Sequence, residues 1–203
     1  LIYMKKIIFA THNQGKLKEM KSILKGLPVE VLSATEAGII EEIEETGTTC
    51  QENSLIKSRY VAKKTGEWAI ADDTGLCIDA LGGKPGVYSA RWTDGAPHAD
   101  FTLEKMKGIE NRNSYFLSIA SLVKPNGEEH VFEGKINGTI TTEKRGVDRP
   151  KLPYDLIFQP EGYNETFAEM SDDQKNSLSH RGKAFQQMRQ FIEAELKLLT
   201  AKN

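Results

Sequence analysis

Residues 7–20, IIFATHNQGKLKEM, decide the fold. An apolar run rich in β-branched and aromatic residues stops at Thr11-His12-Asn13, and the chain resumes with Leu17, Met20 and Leu24 at helical spacing and lysines between them. Residues 5–10 therefore read as a buried strand and residues 14–25 as an amphipathic helix. Such a strand-turn-helix unit aims backbone N–H groups at the turn, and Lys16 adds a cation nearby. Unsatisfied donors and the helix dipole both favour an anion there. Alone the signal is weak, since Asn and Gly also serve turns for conformational reasons. Neither the G-x-x-x-x-G-K-[ST] spacing nor G-x-G-x-x-G after a strand occurs, so any phosphate loop is of another kind.

Working outward, residues 29–33 resemble a second strand, followed by an acidic run at Glu41, Glu42, Glu44 and Glu45. A second helix is expected from Thr48 or Thr49, with Glu52 at capping-box distance, through Leu55, Ile56 and Val61 to Gly66. Residues 68–71 read as a buried strand delivering DDTGL at its end, where open α/β sheets place their chemistry. Residues 113–123 form another strand candidate. Residues 128–140 suggest a hairpin or ribbon, with turns near Asn126-Gly127 and Asn137-Gly138. A helix over 181–199 puts Phe185, Met188, Ile192 and Leu196 on one face. The alternation argues for an α/β fold with a mixed sheet.

The 203 residues carry no Pro/Gly/Ser-rich linker and read as a single domain over 1–203. A composition of 38% hydrophobic and 28% charged residues is that of a globular protein. No apolar run reaches the roughly 20 residues of a spanning helix, so no membrane partner is expected. The formal net charge of −2 argues against a non-specific nucleic-acid binder. The start is too short for a signal peptide, Met4 is a candidate initiator with residues 1–3 an extension, and a cytoplasmic location is expected. Cys50 and Cys77 offer no metal spacing or disulfide framework and read as buried free thiols.

Asp72-Asp73-Thr74-Gly75 supplies carboxylates suited to Mg²⁺, which binds through one or two carboxylates. The alternative is a tight turn in which an Asp bonds its own backbone. Adjacent side chains on a strand point to opposite faces, so one aspartate at most should face a site. The glutamate run is either a solvated face or the source of one or two metal ligands. Near the C-terminus, Ser179-His180-Arg181 opens a helix with a basic pair, a placement the helix dipole disfavours and which invites a functional explanation.

With these pieces assembled, the chain resembles the inosine triphosphate pyrophosphatase family, the dITP/XTP pyrophosphatases. The stretches carrying the resemblance are ATHNQGKLKEM, EETGTTCQENSLIKSRYVAKKTG, AIADDTGLCIDALGGKPGVYSARW, YDLIFQPEGYNETFAEMS and KNSLSHRGKAF, in family order over nearly the whole chain. The resemblance implies Mg²⁺-dependent hydrolysis, with Mn²⁺ an alternative ion, of ITP, dITP or XTP to the monophosphate and pyrophosphate. It implies that Thr11, His12, Asn13, Gln14, Gly15 and Lys16 cradle the triphosphate, with Lys57 adding positive charge. Asp73 would accept the proton and ligate metal, with Glu44 or Glu45. Thr74 would touch substrate, and Leu152, Pro153, Tyr154, Asp155, Lys175, His180 and Arg181 would shape the base and sugar pocket. The implied fold is an elongated α/β structure with a long mixed sheet and two lobes about a central cleft, usually a homodimer. Donors placed for a 6-keto oxygen would be left unpaired by adenine at about 1–3 kcal/mol each, making ATP a poor substrate.

The chain departs from that family in one loop. A glycine-rich G-G-F-G-Y-D-P is expected before the tyrosine, but RGVDRPKLPYDLIF places Leu152 and Pro153 where Phe and Gly belong and Leu156 where proline does. This raises an alternative: a catalytically weakened nucleotide-binding relative altered at 147–153. A phosphatase releasing orthophosphate is a third reading. Cys50 in place of an aromatic and Ser54 in place of alanine are expected to affect packing only.

Overall fold

The computed structural model describes residues 4–149 and 151–201; residues 1–3, read above as an extension, and Pro150 of the altered loop lie outside them. The strands are β1 Lys5–Phe9, β2 Val29–Ser33, β3 Trp68–Ile78, β4 Pro85–Gly86, β5 Asn113–Val123, β6 Glu129–Ile140 and β7 Phe158–Pro160. The helices are α1 Gln14–Ile23, α2 Cys50–Thr65, α3 His98–Lys105, α4 Asp172–Leu178 and α5 His180–Ala201. The seven strands form one sheet in the order β2-β1-β3-β5-β6-β7, with β4 paired to β3. It is mixed: β1 is parallel to β2 and β3, while β3–β4 and β6–β7 are antiparallel.

Contacts divide the chain into two compact units, the first containing residues 1–73, 119–133 and 183–203, the second 74–118 and 134–182. In the first unit, alternation along β1 sends Ile7 and Phe9 to one face of the sheet and Ile8 and Ala10 to the other. Ile7 and Phe9 join Leu17 and Met20 of α1 and Phe185, Met188 and Ile192 of α5. Ile8 and Ala10 join Leu55, Val61 and Ala62 of α2. Each of the larger side chains among these, fully removed from water, contributes about 1.5–3 kcal/mol, so burial of both strand faces fixes the register. Helix α2 starts as its sequence predicts: Thr49 and Glu52 form a reciprocal capping box, and Gly66 closes it at φ 69°.

In the second unit the core is aromatic. Phe116, Phe158 and Phe167 pack with Tyr154, Ile140, Leu76 and Met170. Two expectations are corrected. Strand β3 does not stop before DDTGL but runs through it to Ile78, because buried Leu76 and Ile78 and pairing to β4 continue the strand. Nor is Asn137-Gly138 a turn: Gly138 lies inside β6 opposite Pro160 of β7. A Cβ there would stand 2.4 Å from the Gln159 carbonyl oxygen, so glycine permits the close pairing.

Candidate active site

In the first unit, the turn after β1 is built around Asn13. It caps α1, its side-chain oxygen accepting from the backbone N–H groups of Gly15 at 2.9 Å and Lys16 at 3.2 Å. Thr11 Oγ1 accepts from Asn13 N at 3.1 Å, and Gln14 and Gly15 are exposed. His12 Nε2 lies 3.2 Å from the Glu41 carbonyl, which can only accept, so this nitrogen carries the proton; Nδ1 sits 2.9 Å from Thr35 Oγ1. The turn is thus tied to the acidic segment.

Lys16 reaches from α1 to β3, its Nζ donating to both oxygens of Asp72 at 3.0 and 2.9 Å. Asp72 is buried, while Asp73 is half-buried, as alternation along a strand requires. Lys57 of α2 donates to Glu45 Oε1 at 2.6 Å and to the Asp72 carbonyl at 2.7 Å. Burial pulls its ammonium down, but the carboxylates of Asp72, Asp73 and Glu45 outweigh that and hold it above its ordinary value. The structure therefore gathers Thr11, His12, Asn13, Lys16, Glu45, Lys57 and Asp73 in this unit, whereas Glu44 is exposed.

One residue of this group escapes sequence reasoning. Asn53, fully buried on α2 one turn before Lys57, accepts from Gly47 N at 2.8 Å and points its Nδ2 at Asp73 Oδ2, 3.4 Å away. Its spacing of four from Lys57 was the available signal, since such residues share a helix face. Ser54, expected to matter for packing only, also hydrogen-bonds: its Oγ lies 3.2 Å from the Ala71 carbonyl, which can only accept, and 2.8 Å from Ser121 Oγ. Neither cysteine is in a disulfide; Cys50 is buried and Cys77 half-buried.

In the second unit, Tyr154 is a core residue, its hydroxyl donating to the Ser89 carbonyl at 2.7 Å and burial pushing the phenol well above its usual range. Its neighbour Asp155 is buried and paired with Lys175 of α4. Burial holds the Lys175 ammonium below its ordinary value against the pull of Asp155, with Arg181 and Arg149 adding to the depression. Arg149, from the altered loop and unassigned by sequence, donates to the Met170 carbonyl and lies 3.1 Å from Asp172.

His180 opens α5 stacked on Phe116, ring centroids 4.7 Å apart and planes 9° apart. Ser179 Oγ accepts from Gly182 N at 3.1 Å, and a Cβ on Gly182 would lie 2.8 Å from the Asn176 carbonyl oxygen. Leu152 and Pro153 are half-buried; Lys151 before them sits at φ 64°, a left-handed conformation that favours glycine. Thr74 donates from Oγ1 to Ser118 Oγ at 3.4 Å.

Among the described residues no cluster of three or more His, Cys, Asp or Glu side chains forms a ready metal cage. The oxygen donors Glu45 and Asp73 around Lys57 fit instead an ion that takes one or two carboxylates and completes its shell with water and substrate phosphate, the habit of Mg²⁺. No helix among the described residues is long and apolar enough to cross a membrane.

The chain is similar to known proteins over most of its length. Residues 7–191 match the model of the Ham1 family. The dITP/XTP pyrophosphatase of Bacillus subtilis (strain 168) is 42% identical over 200 residues, 96% of this chain and 100% of its own. That of Streptomyces coelicolor is 42% identical over 190 residues, 90% of this chain and 94% of its own. The Ham1 protein of Staphylococcus aureus superposes with a TM-score of 0.87 at 34% identity, covering 94% of this chain and all, 100%, of that one. A nucleoside-triphosphatase / dITP/XTP pyrophosphatase of Mycobacterium abscessus gives a TM-score of 0.75 at 39% identity, over 90% of this chain and 98% of that one.

Proposed function

This chain belongs to the Ham1 family, and on that premise we propose how its own residues carry out the chemistry. It is a nucleoside-triphosphate pyrophosphatase that hydrolyses non-standard purine nucleoside triphosphates, ITP, dITP and XTP, to the monophosphate and pyrophosphate. The observation that carries this reading is Lys57, held between Glu45 and the Asp72-Asp73 end of the strand segment in the first unit. A cation ringed by carboxylates at a phosphate-type turn is the equipment of phosphoryl chemistry, where catalysis is mainly positioning and charge stabilisation.

Thr11, His12, Asn13, Gln14, Gly15 and Lys16 receive the triphosphate, and Lys16 exchanges part of its hold on Asp72 for a phosphate oxygen. Asp73 takes the proton of the attacking water. Glu45 and Asp73 would hold a divalent ion, Mg²⁺ with Mn²⁺ as substitute, which when bound would supply positive charge to the phosphate oxygens. Glu44, being exposed, is the poorer candidate ligand. In the second unit, Asp155, Lys175, His180 and Arg181 present the hydrogen-bonding groups for base and sugar, and Thr74 contacts substrate. Tyr154, Leu152 and Pro153 wall the base and sugar pocket. The enzyme works as a homodimer in the cytoplasm, clearing damaged purines from the nucleotide pool.

A silent nucleotide binder is not favoured, because the altered loop leaves Asp73, Glu45, Lys16 and Lys57 assembled. Steady-state turnover of ITP, XTP, GTP and ATP with Mg²⁺ tests the reading. ITP and XTP should exceed ATP in kcat/KM by at least about 30-fold, the value of two unpaired donors at ~1 kcal/mol each. Excess chelator should stop turnover. Equal use of ATP would overturn the specificity assigned here.

A further inference from the structure

Helix α2 carries two polar side chains one turn apart, each joining the same two partners, the loop before the helix and strand β3. Lys57 spans from the Glu45 carboxylate to the Asp72 carbonyl, and Asn53 spans from the Gly47 N–H to the Asp73 carboxylate. Asn53 is fully buried, so its amide orientation is set by what it touches. A backbone N–H needs an acceptor, which fixes Oδ1 on Gly47 at 2.8 Å and leaves the Nδ2 donor facing Asp73. The approach of Gly47 is as tight: a Cβ there would lie 2.6 Å from Glu52 Cβ and 2.7 Å from Asn53 Oδ1. Any side chain at 47 would displace the amide that it orients.

We propose that Asn53, oriented by the Gly47 N–H, is a positioning residue that holds the Asp73 carboxylate in its reactive orientation. The inference rests on the pyrophosphatase reading above, in which Asp73 accepts the proton. Its Nδ2 donor faces Oδ2 and so fixes the rotation of the carboxylate plane. At 3.4 Å the contact is loose, as catalytic hydrogen bonds often are before substrate tightens them.

Asn53→Asp keeps an acceptor for Gly47 and removes the donor to Asp73. In pyrophosphate release from ITP it should lower kcat about 100-fold, the cost of a misplaced catalytic group. KM and the Kd for α,β-methylene-ITP should stay near wild type, while the melting temperature should fall because a second carboxylate is buried beside Asp73; circular dichroism at the assay temperature should still show a folded chain. The deciding arm is the Asp73→Asn background: if Asn53 acts through Asp73, adding Asn53→Asp there costs nothing further, whereas an independent structural role multiplies the losses. An unchanged kcat in Asn53→Asp, a multiplied loss in the double variant, where the like-charge repulsion is absent, or a loss accompanied by weakened analogue binding would overturn the proposal. Failure of the wild-type chain to release pyrophosphate from ITP would instead sink the pyrophosphatase reading, and this inference with it.

Discussion

In the first unit every cation of the candidate site meets a carboxylate, Lys16 with Asp72 and Lys57 with Glu45. In the second, one buried carboxylate, Asp155, draws on three cations, Lys175, Arg149 and Arg181. Arg149 also meets Asp172, which at 83% exposure is a solvated partner. A balanced cluster holds its geometry by itself, and an incoming polyanion must compete for Lys16. A cluster with more cations than carboxylates attracts electron-rich oxygens from outside. On the proposed reading, the difference suits the first group to reactive positioning and the second to recognition.

The sharpest way to break that division is Asp73→Asn, which should retain ITP binding and lose about 10³-fold in kcat, the usual share of a general base. Unchanged turnover would remove Asp73 from its role. Lys175→Met should show next in stability, because Asp155 would stay buried with its ion-pair partner gone; urea unfolding should lose about 3 kcal/mol. Lys16→Met should cost less stability, about 1–2 kcal/mol, since Lys57 also lies within electrostatic reach of Asp72. Its main effect should be a KM for ITP raised about tenfold, the worth of one charged contact. Reversed rankings for the two lysines would contradict the comparison. The smallest effect is expected from Leu152→Phe, which supplies an aromatic wall to the base: KM for ITP should fall about 2- to 10-fold, the worth of one stacking contact. Faster chemistry with unchanged KM would place Leu152 elsewhere.

The first unit was the more legible in the sequence because its signals are local. Asn13 caps α1, Thr49 and Glu52 box α2 and Gly66 ends it, all within a turn of the boundary they set. The second unit depends on distant partners. Strand β3 continues through two aspartates because β4 pairs with it, and Asn137-Gly138 imitates a turn yet makes room for β7. Helix α3 has no side-chain cap and buries few residues, and β7 is three residues long, so neither left a pattern to read. The same contrast holds for the site. Lys16, Lys57 and Asp73 stand in recognisable motifs, and alternation made one aspartate of the pair the site residue. Asn53 and Arg149 acquire their contacts only when separate segments meet, Asn53 with Gly47 and Asp73, Arg149 with Met170. Choosing Glu45 over Glu44 needed the position of Lys57.

The most direct test of the central claim is the identity of the anion released from ITP with Mg²⁺, followed by parallel pyrophosphate and orthophosphate assays. One pyrophosphate should appear for each IMP formed, with no orthophosphate, if the chain cleaves between the α and β phosphates. Orthophosphate with IDP would contradict it, since the bond broken would then be the outer one and the roles given to Lys16 and Asp73 would have to be reassigned.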